Sequence, residues 1–280
     1  MKIDGCLLSD RLEEIPELAR ASEAAGFDGL WTFESAHDIF LCMALAAEHT
    51  ARVELTTAIA VAFARSPMTV AVQTWDMQEL SHGRFILGLG TQVKAHIERR
   101  FGMPWSAPAP RIREFVHALR AIWDCWSTGS PLDFQGDHYT HTLMTPMFDP
   151  GPNPFGDARI LLAGVGPVMT AVAGEVADGW IAHPFSTERY LRNVSVPAIE
   201  KGLARTGRSR RDFEVSCPLM VVTGRDENEM LAMREQVRND IAFHASTYAY
   251  RPILELHGWG SCRQSSISSS SRELGGRWAV

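Results

Sequence analysis

Glu34 and His37 stand three residues apart directly after a short apolar run, Gly29–Phe33. At that spacing an acid and an imidazole can face one cavity as an acid/base or hydrogen-bond pair. A capping pair with no chemistry satisfies the same spacing, so residue types alone leave both readings open. Two glycine turns follow other apolar runs: Gly88-Leu89-Gly90-Thr91-Gln92 and Gly164-Val165-Gly166-Pro167. Both lack the third glycine of a dinucleotide fingerprint, but their backbone amides could hold one phosphate. The second is better placed, because Pro167 at a helix start leaves the amides around Val165 and Gly166 near the positive end of that helix. A plain strand-to-helix turn accounts for these glycines equally well. Thr57–Val61 and the pair His183-Pro184 complete the set of residues at the ends of apolar runs.

Other chemistries lack their parts. Holding a catalytic metal on successive strand ends needs several carboxylates, and only Glu34 qualifies. The three lysines, Lys2, Lys94 and Lys201, leave only Lys94 near a strand end for Schiff-base work, and no G-x-S-x-G turn presents a serine nucleophile. No H-E-x-x-H occurs, and the close pair His138 and His141 sits in a polar segment without a cysteine at ligand spacing, so no metal is expected. The five cysteines lie far apart without a C-x-x-C pair, which suits reduced thiols used for packing. A mouth of glycines and small residues with few acids or bases indicates a bound cofactor that carries the difficult step.

The elements that position these residues are repeated βα units. Short apolar runs alternate with helical patterns as far as about Phe243, the signature of a parallel sheet. Seven strands are expected: Ile3–Leu8, Gly29–Phe33, Val53–Val61, Arg84–Leu89, Arg159–Ala163, Gly179–Ala182 and Phe213–Val222. Between the fourth and fifth lie a periodic helix, Arg111–Trp126, and a hairpin over Asp133–Leu143. No composition break divides residues 1–260, which read as one α/β domain of TIM-type (β/α) barrel architecture. An eighth strand is missing unless Ala245–Tyr250 serves, so the barrel is expected to be incomplete at its eighth unit. Residues 261–280 form a serine-rich tail too poor in apolar side chains to close it, and are expected to pack loosely. Open edges on the first and seventh strands favour pairing with another chain, which makes a homodimer a further expectation.

Composition fits this picture. The 280 residues are 45% hydrophobic and 21% charged, enough for a sizeable core, and carry a net charge of −6. No basic run suits nucleic acid, no apolar stretch approaches a membrane span, and no signal peptide opens the chain, so a cytoplasmic protein is expected.

Ser66-Pro-Met-Thr-Val-Ala71, Leu80-Ser-His-Gly-Arg-Phe-Ile-Leu-Gly-Leu-Gly90 and the helix from Arg111 resemble the luciferase-like monooxygenase family, and within it the deazaflavin (coenzyme F420)-dependent oxidoreductases. Ala163-Gly-Val-Gly-Pro167 and Ala177-Asp-Gly-Trp-Ile181 are similar to the family's fifth and sixth strands, and the resemblance runs to about Gly260. It implies a barrel that binds a flavin or deazaflavin at its strand carboxyl ends. The activity it implies is hydride transfer between coenzyme F420 and a small organic substrate. An FMN-dependent monooxygenase of the same fold and a non-catalytic flavin-binding barrel are the alternatives. Carried over by position, Glu34 lies near the ring, and Thr57 and Ala58 fall at a non-prolyl cis peptide. Gly90, Thr91 and Gln92 border the cofactor, Gly164, Val165, Gly166 and Pro167 cradle its phosphate, and His183 and Pro184 flank its tail. The family's dehydrogenases place a catalytic histidine directly after the acidic residue; Ser35 stands there in this chain, which leaves His37 as the candidate base beside Glu34.

Overall fold

A computed structural model describes residues 1–260; the expectation for residues 261–280 lies outside them. The first half of the chain lays down β1 (Asp4–Cys6), α1 (Ile15–Ala24), β2 (Gly29–Thr32), α2 (Ile39–Glu48), β3 (Glu54–Thr57), β4 (Ala60–Val61), α3 (Pro67–Leu80) and β5 (Phe85–Gly90). An excursion follows, with α4 (Lys94–Arg99), α5 (Pro108–Thr128) and the hairpin β6 (Phe134–Gln135) and β7 (Thr140–His141). Then come β8 (Arg159–Ala163), α6 (Pro167–Val176) and β9 (Gly179–Ile181). A short turn, α7 (Glu188–Tyr190), runs into α8 (Val196–Arg205), followed by β10 (Glu214–Ser216), α9 (Glu227–Ser246) and α10 (Arg251–Leu256).

The main sheet has the order β1-β2-β3-β5-β8-β9-β10, parallel throughout, with β4 extending the β3 side of β5. Chain order equals sheet order, as right-handed βα crossovers require. Among the described residues no ladder joins β1 to β10, so the sheet is an open barrel. The segment offered as an eighth strand is helical: Ala245 and Ser246 end α9, and Tyr248–Tyr250 form a 3-10 turn. The seventh strand is shorter than its apolar pattern, three residues where Phe213–Val222 was expected, because it pairs on one side only.

Helices cover the outside. Serine and aspartate start α2 and α3, where Asp38 accepts from the Phe40 and Leu41 amides and Ser66 from Thr69, with Pro67 in the first turn. The face of α5 carrying Ile112, Phe115, Leu119, Trp123 and Trp126 is buried against α3, where the Trp75 ring lies 6.4 Å from Trp123 and 5.3 Å from Trp126. Inside the barrel the alternation of strands produces layers. At the amino-terminal end Arg159 on β8 reaches across to Glu54 on β3 (2.6 Å) and Glu214 on β10 (2.5 Å), each two strands away. Toward the carboxyl ends Ile86, Leu161 and Ile181 form an apolar floor with Ala58, Ile59 and Ala163 packed on it. Cys42 and Cys125 are buried as packing residues, whereas Cys6 and Cys217 are exposed at the two edge strands, and Cys262 lies outside the described residues. Among the described residues no helix is long and apolar enough to cross a membrane.

Candidate functional site

The expected residues lie at the carboxyl ends of five strands, β2, β3, β5, β8 and β9. Glu34, just beyond β2, turns away from His37. Its Oε2 accepts from the Val61 amide (2.8 Å) and from Arg65 Nη1 (2.7 Å), while Arg65 Nη2 donates to Asp38 (2.8 Å). The pair is nearly closed to water, with side-chain exposures of 11% for Arg65 and 8% for Glu34. Burial works against the guanidinium charge, but the hydrogen bond and charge of Glu34, then Asp38, outweigh it and hold the Arg65 pKa above its ordinary value. Glu34 is therefore a clamp between the end of β2 and the end of β4, and Arg65 is its partner, which sequence reasoning missed.

His37 is half-buried, and its Nε2 lies 2.8 Å from the Asp10 carbonyl oxygen. A carbonyl can only accept, so Nε2 carries the proton and, in the neutral ring, Nδ1 keeps the lone pair. Nδ1 has no partner among the described residues. That is the arrangement of an oriented base: one ring nitrogen tied to the scaffold and the other free to take a proton.

The expected third strand is broken in two. The Ala58–Ile59 bond is a non-prolyl cis peptide, one residue later than Thr57-Ala58, and it separates β3 from β4. The Thr57 hydroxyl does not enter the cavity: it accepts from the Gly88 amide (2.8 Å) and donates to the Gly88 carbonyl (2.9 Å), stitching β3 to β5. A Cβ at Gly88 would lie 1.7 Å from the Thr57 carbonyl oxygen, and one at Gly90 would lie 2.8 Å from Ile59 Cγ1. Glycine is thus required at both positions by close approach of β3 and the cis segment. Thr91 and Gln92 bond within their own loop, the hydroxyl to the Gln92 carbonyl and Gln92 Oε1 to the Val93 amide, with Gln92 at φ 58°.

The turn after β8 is organised from beneath. Trp180 Nε1 donates to the Gly164 carbonyl (3.0 Å) and Tyr190 Oη to the Val165 carbonyl (3.1 Å), and both rings are buried. In a trans peptide the C=O and N–H point in opposite directions. Anchoring these two carbonyls inward therefore turns the amides of Val165 and Gly166 outward, beside the first turn of α6, where Val168 and Met169 add two more amides without acceptors among the described residues. Gly166 has φ −82°, and a Cβ there would meet nothing, so it leaves the approach open instead of supplying a special backbone angle. The four residues form a concave array of donors suited to an anion.

At the end of β9, His183 joins a ring cluster. Its ring centroid lies 4.4 Å from Tyr250 and 4.6 Å from His244, and Phe185 lies 5.7 Å from Tyr250. Burial, reinforced by His244, lowers the His183 pKa to about 3, and burial pushes Tyr250 up to about 12. Pro184, half-buried, follows in the same loop. The expected residues thus lie at the ends of β2, β3, β5, β8 and β9, with Glu34 and Thr57 engaged in scaffold bonds. Trp180 lay in the Ala177–Ile181 motif only as a strand residue, Tyr250 in a possible eighth strand, and no short motif singled out Tyr190. Among the described residues no three His, Cys, Asp or Glu side chains converge as a metal would need.

Comparison with known proteins agrees with this architecture. The luciferase-like monooxygenase family model matches residues 3–279. An uncharacterised Mycobacterium tuberculosis protein is 56% identical over 260 residues, 93% of this chain and 76% of that one. Another protein of M. tuberculosis, named as a coenzyme F420-dependent oxidoreductase, is 31% identical over 252 residues, 83% of this chain and 71% of that protein. Among solved structures, the coenzyme F420-dependent tetrahydromethanopterin reductase of Methanopyrus kandleri aligns with a TM-score of 0.79 at 23% identity, over 96% of this chain and 79% of that one.

Proposed function

Since the chain belongs to the luciferase-like monooxygenase family, we propose that it is an oxidoreductase that transfers a hydride between coenzyme F420 and a small organic substrate. The observation that carries this reading is the outward amide array of Val165, Gly166, Val168 and Met169, with two buried aromatic donors beneath it and an apolar floor of Ile86, Leu161 and Ile181. These residues fit a phosphate-bearing planar cofactor: the array holds the anion, and the floor with Ala58 and Ile59 offers an apolar wall to a ring. When bound, the deazaflavin accepts or delivers the hydride. The chain's own part is positional and acid/base. His37 Nδ1 takes or returns the proton that accompanies the hydride, held in the right tautomer by the Asp10 carbonyl. The Glu34–Arg65 clamp fixes the end of β2, which carries His37, against the cis segment that walls the cavity.

The family name and the 31% relative point toward different cofactors, FMN for a monooxygenase and F420 for an oxidoreductase. A fluorescence titration with each decides between them. Saturable binding of F420, tighter than FMN by tenfold or more, supports the proposal; preferential binding of FMN moves the protein to the monooxygenases, and binding of neither leaves a non-catalytic barrel.

A further inference from the structure

The cluster at the end of β9 contains more hydrogen-bonding capacity than the fold uses. His183 Nδ1 accepts from the Phe185 amide (3.2 Å), and His183 Nε2 lies 2.9 Å from Tyr250 Oη. A neutral imidazole has one proton. Because Nδ1 is the acceptor of an N–H, that proton sits on Nε2 and is donated to the tyrosine oxygen. The Tyr250 O–H is then left to donate elsewhere, and Oη has no second partner among the described residues. Next to it, in the same cluster, His244 Nδ1 is buried with no hydrogen-bond partner, its ring centroid 5.5 Å from that of Tyr250. Phe185 and Phe243 supply apolar walls.

We propose that Tyr250 O–H and His244 Nδ1 form a ligand subsite for a neutral hydroxyl or carbonyl oxygen carried on an apolar group, held by a hydrogen bond from Tyr250 that His183 orients. A leftover donor and a leftover ring nitrogen in one aromatic cluster, their ring centroids 5.5 Å apart, match a hydroxyl, which accepts from one and donates to the other, or a carbonyl, which accepts from Tyr250 alone. Both histidines are pushed by burial toward their neutral forms, so the subsite offers no positive charge to an anion. His183 thereby acts as a positioning residue and Tyr250 as the contact. The same tautomer argument weighs against a metal here, since His183 would need its Nε2 lone pair for coordination while Nδ1 already accepts. This inference rests on the cluster's geometry and holds whichever cofactor the protein binds.

The test uses the full chain and three probes of one shape, cyclohexanol, cyclohexanone and cyclohexanecarboxylate, followed by NMR shifts of the His244 and Tyr250 ring resonances. Cyclohexanol and cyclohexanone should bind and shift these rings, with the carboxylate at least tenfold weaker. Tyr250→Phe should weaken the first two by about 3–10-fold, the value of one neutral hydrogen bond, with an unchanged fold by circular dichroism. His183→Gln, which can still donate to Oη, should retain most of the affinity, and His183→Leu should weaken binding up to the extent of Tyr250→Phe. Adding coenzyme F420 assigns the source of the oxygen: displacement of cyclohexanol gives the subsite to a hydroxyl of the coenzyme, and simultaneous binding gives it to the substrate. Equal or tighter binding of the carboxylate, an unaffected Tyr250→Phe, or no shift with any probe overturns the proposal.

Discussion

Arg65→Met tests whether the Glu34 clamp holds the site together. Replacing the guanidinium leaves the Glu34 carboxylate, 8% exposed, with only the Val61 amide as a donor. A buried pair broken on one side typically loses about 3–5 kcal/mol, because the remaining charge is neither solvated nor paired. An exposed pair such as Arg192–Glu188, with exposures of 75% and 78%, supplies the control. Arg192→Met should cost less than about 0.5 kcal/mol. Against a total stability on the order of 5–15 kcal/mol, the Arg65 loss is large enough to read from urea unfolding curves. The double variant Glu34→Leu with Arg65→Met removes both charges and leaves mainly an unpaired Val61 amide, a cost of about 1–3 kcal/mol. It should therefore be more stable than Arg65→Met alone, and the two single losses should exceed the double loss by at least about 2 kcal/mol. An Arg65→Met variant within 1 kcal/mol of wild type, or single effects that simply add, would refute the reasoning.

Gly88→Ala, whose Cβ would lie 1.7 Å from the Thr57 carbonyl, forces β3 and β5 apart and should yield aggregated or unfolded protein on expression; soluble protein with wild-type unfolding would contradict the packing. Asp4 is held above its ordinary carboxyl value, first by burial and then by Glu54 and Glu214, so the folded state takes up its proton at higher pH than the unfolded one and stability from this group falls as pH rises through that window. Asp4→Asn should accordingly raise the melting temperature at pH 7, the gain vanishing below about pH 4; a variant less stable at pH 7 would show that the charge is favourable. Gly166→Asp meets no steric obstacle, so it should fold normally and abolish cofactor binding in the fluorescence titration by placing a carboxylate among the amides, whereas Gly166→Ala should bind as wild type. His37→Ala should reduce turnover by roughly 10²–10⁴-fold with cofactor affinity kept, and equal turnover would return His37 to a scaffold role.

The sheet order and the seven strands were legible because a buried parallel strand writes itself as a short apolar run, and because chain order and sheet order coincide in βα repeats. Periodicity failed where pairing is one-sided or absent. Leu219, Val221 and Val222 continue the apolar pattern of β10, but with no neighbour on that side among the described residues the chain leaves the sheet after Ser216. Ala245–Tyr250 alternates like a strand and yet completes a helix and turns, because its aromatic residue is needed against His183. In both places tertiary partners, invisible to a local pattern, decide the backbone.

The site divides along the same line. Positions where close approach leaves little room for a side chain, Gly88, Gly90 and Gly164, stood out in the sequence, because few other residues fit there. Side-chain roles did not. Glu34 and His37 sit three apart, but their partners come from Arg65, 31 positions on from Glu34, and from Asp10, 27 positions before His37. Nothing in the local spacing distinguishes an acid that will meet a histidine from one that will be claimed by a distant arginine. The outcome changes the chemistry expected of each. An acid that accepts from both a guanidinium and an amide ties two strand ends together, whereas an imidazole with one nitrogen on a carbonyl keeps the other unpaired, so the pair divides into a clamp and the base proposed above. Aromatic residues behaved likewise: Trp180 and Tyr190 satisfy a core pattern, and their donors matter because each pins a carbonyl whose peptide must present its amide to the opening. The strand ends thus mark where the proposed ligand would sit, while the long-range hydrogen bonds determine what each residue there can do.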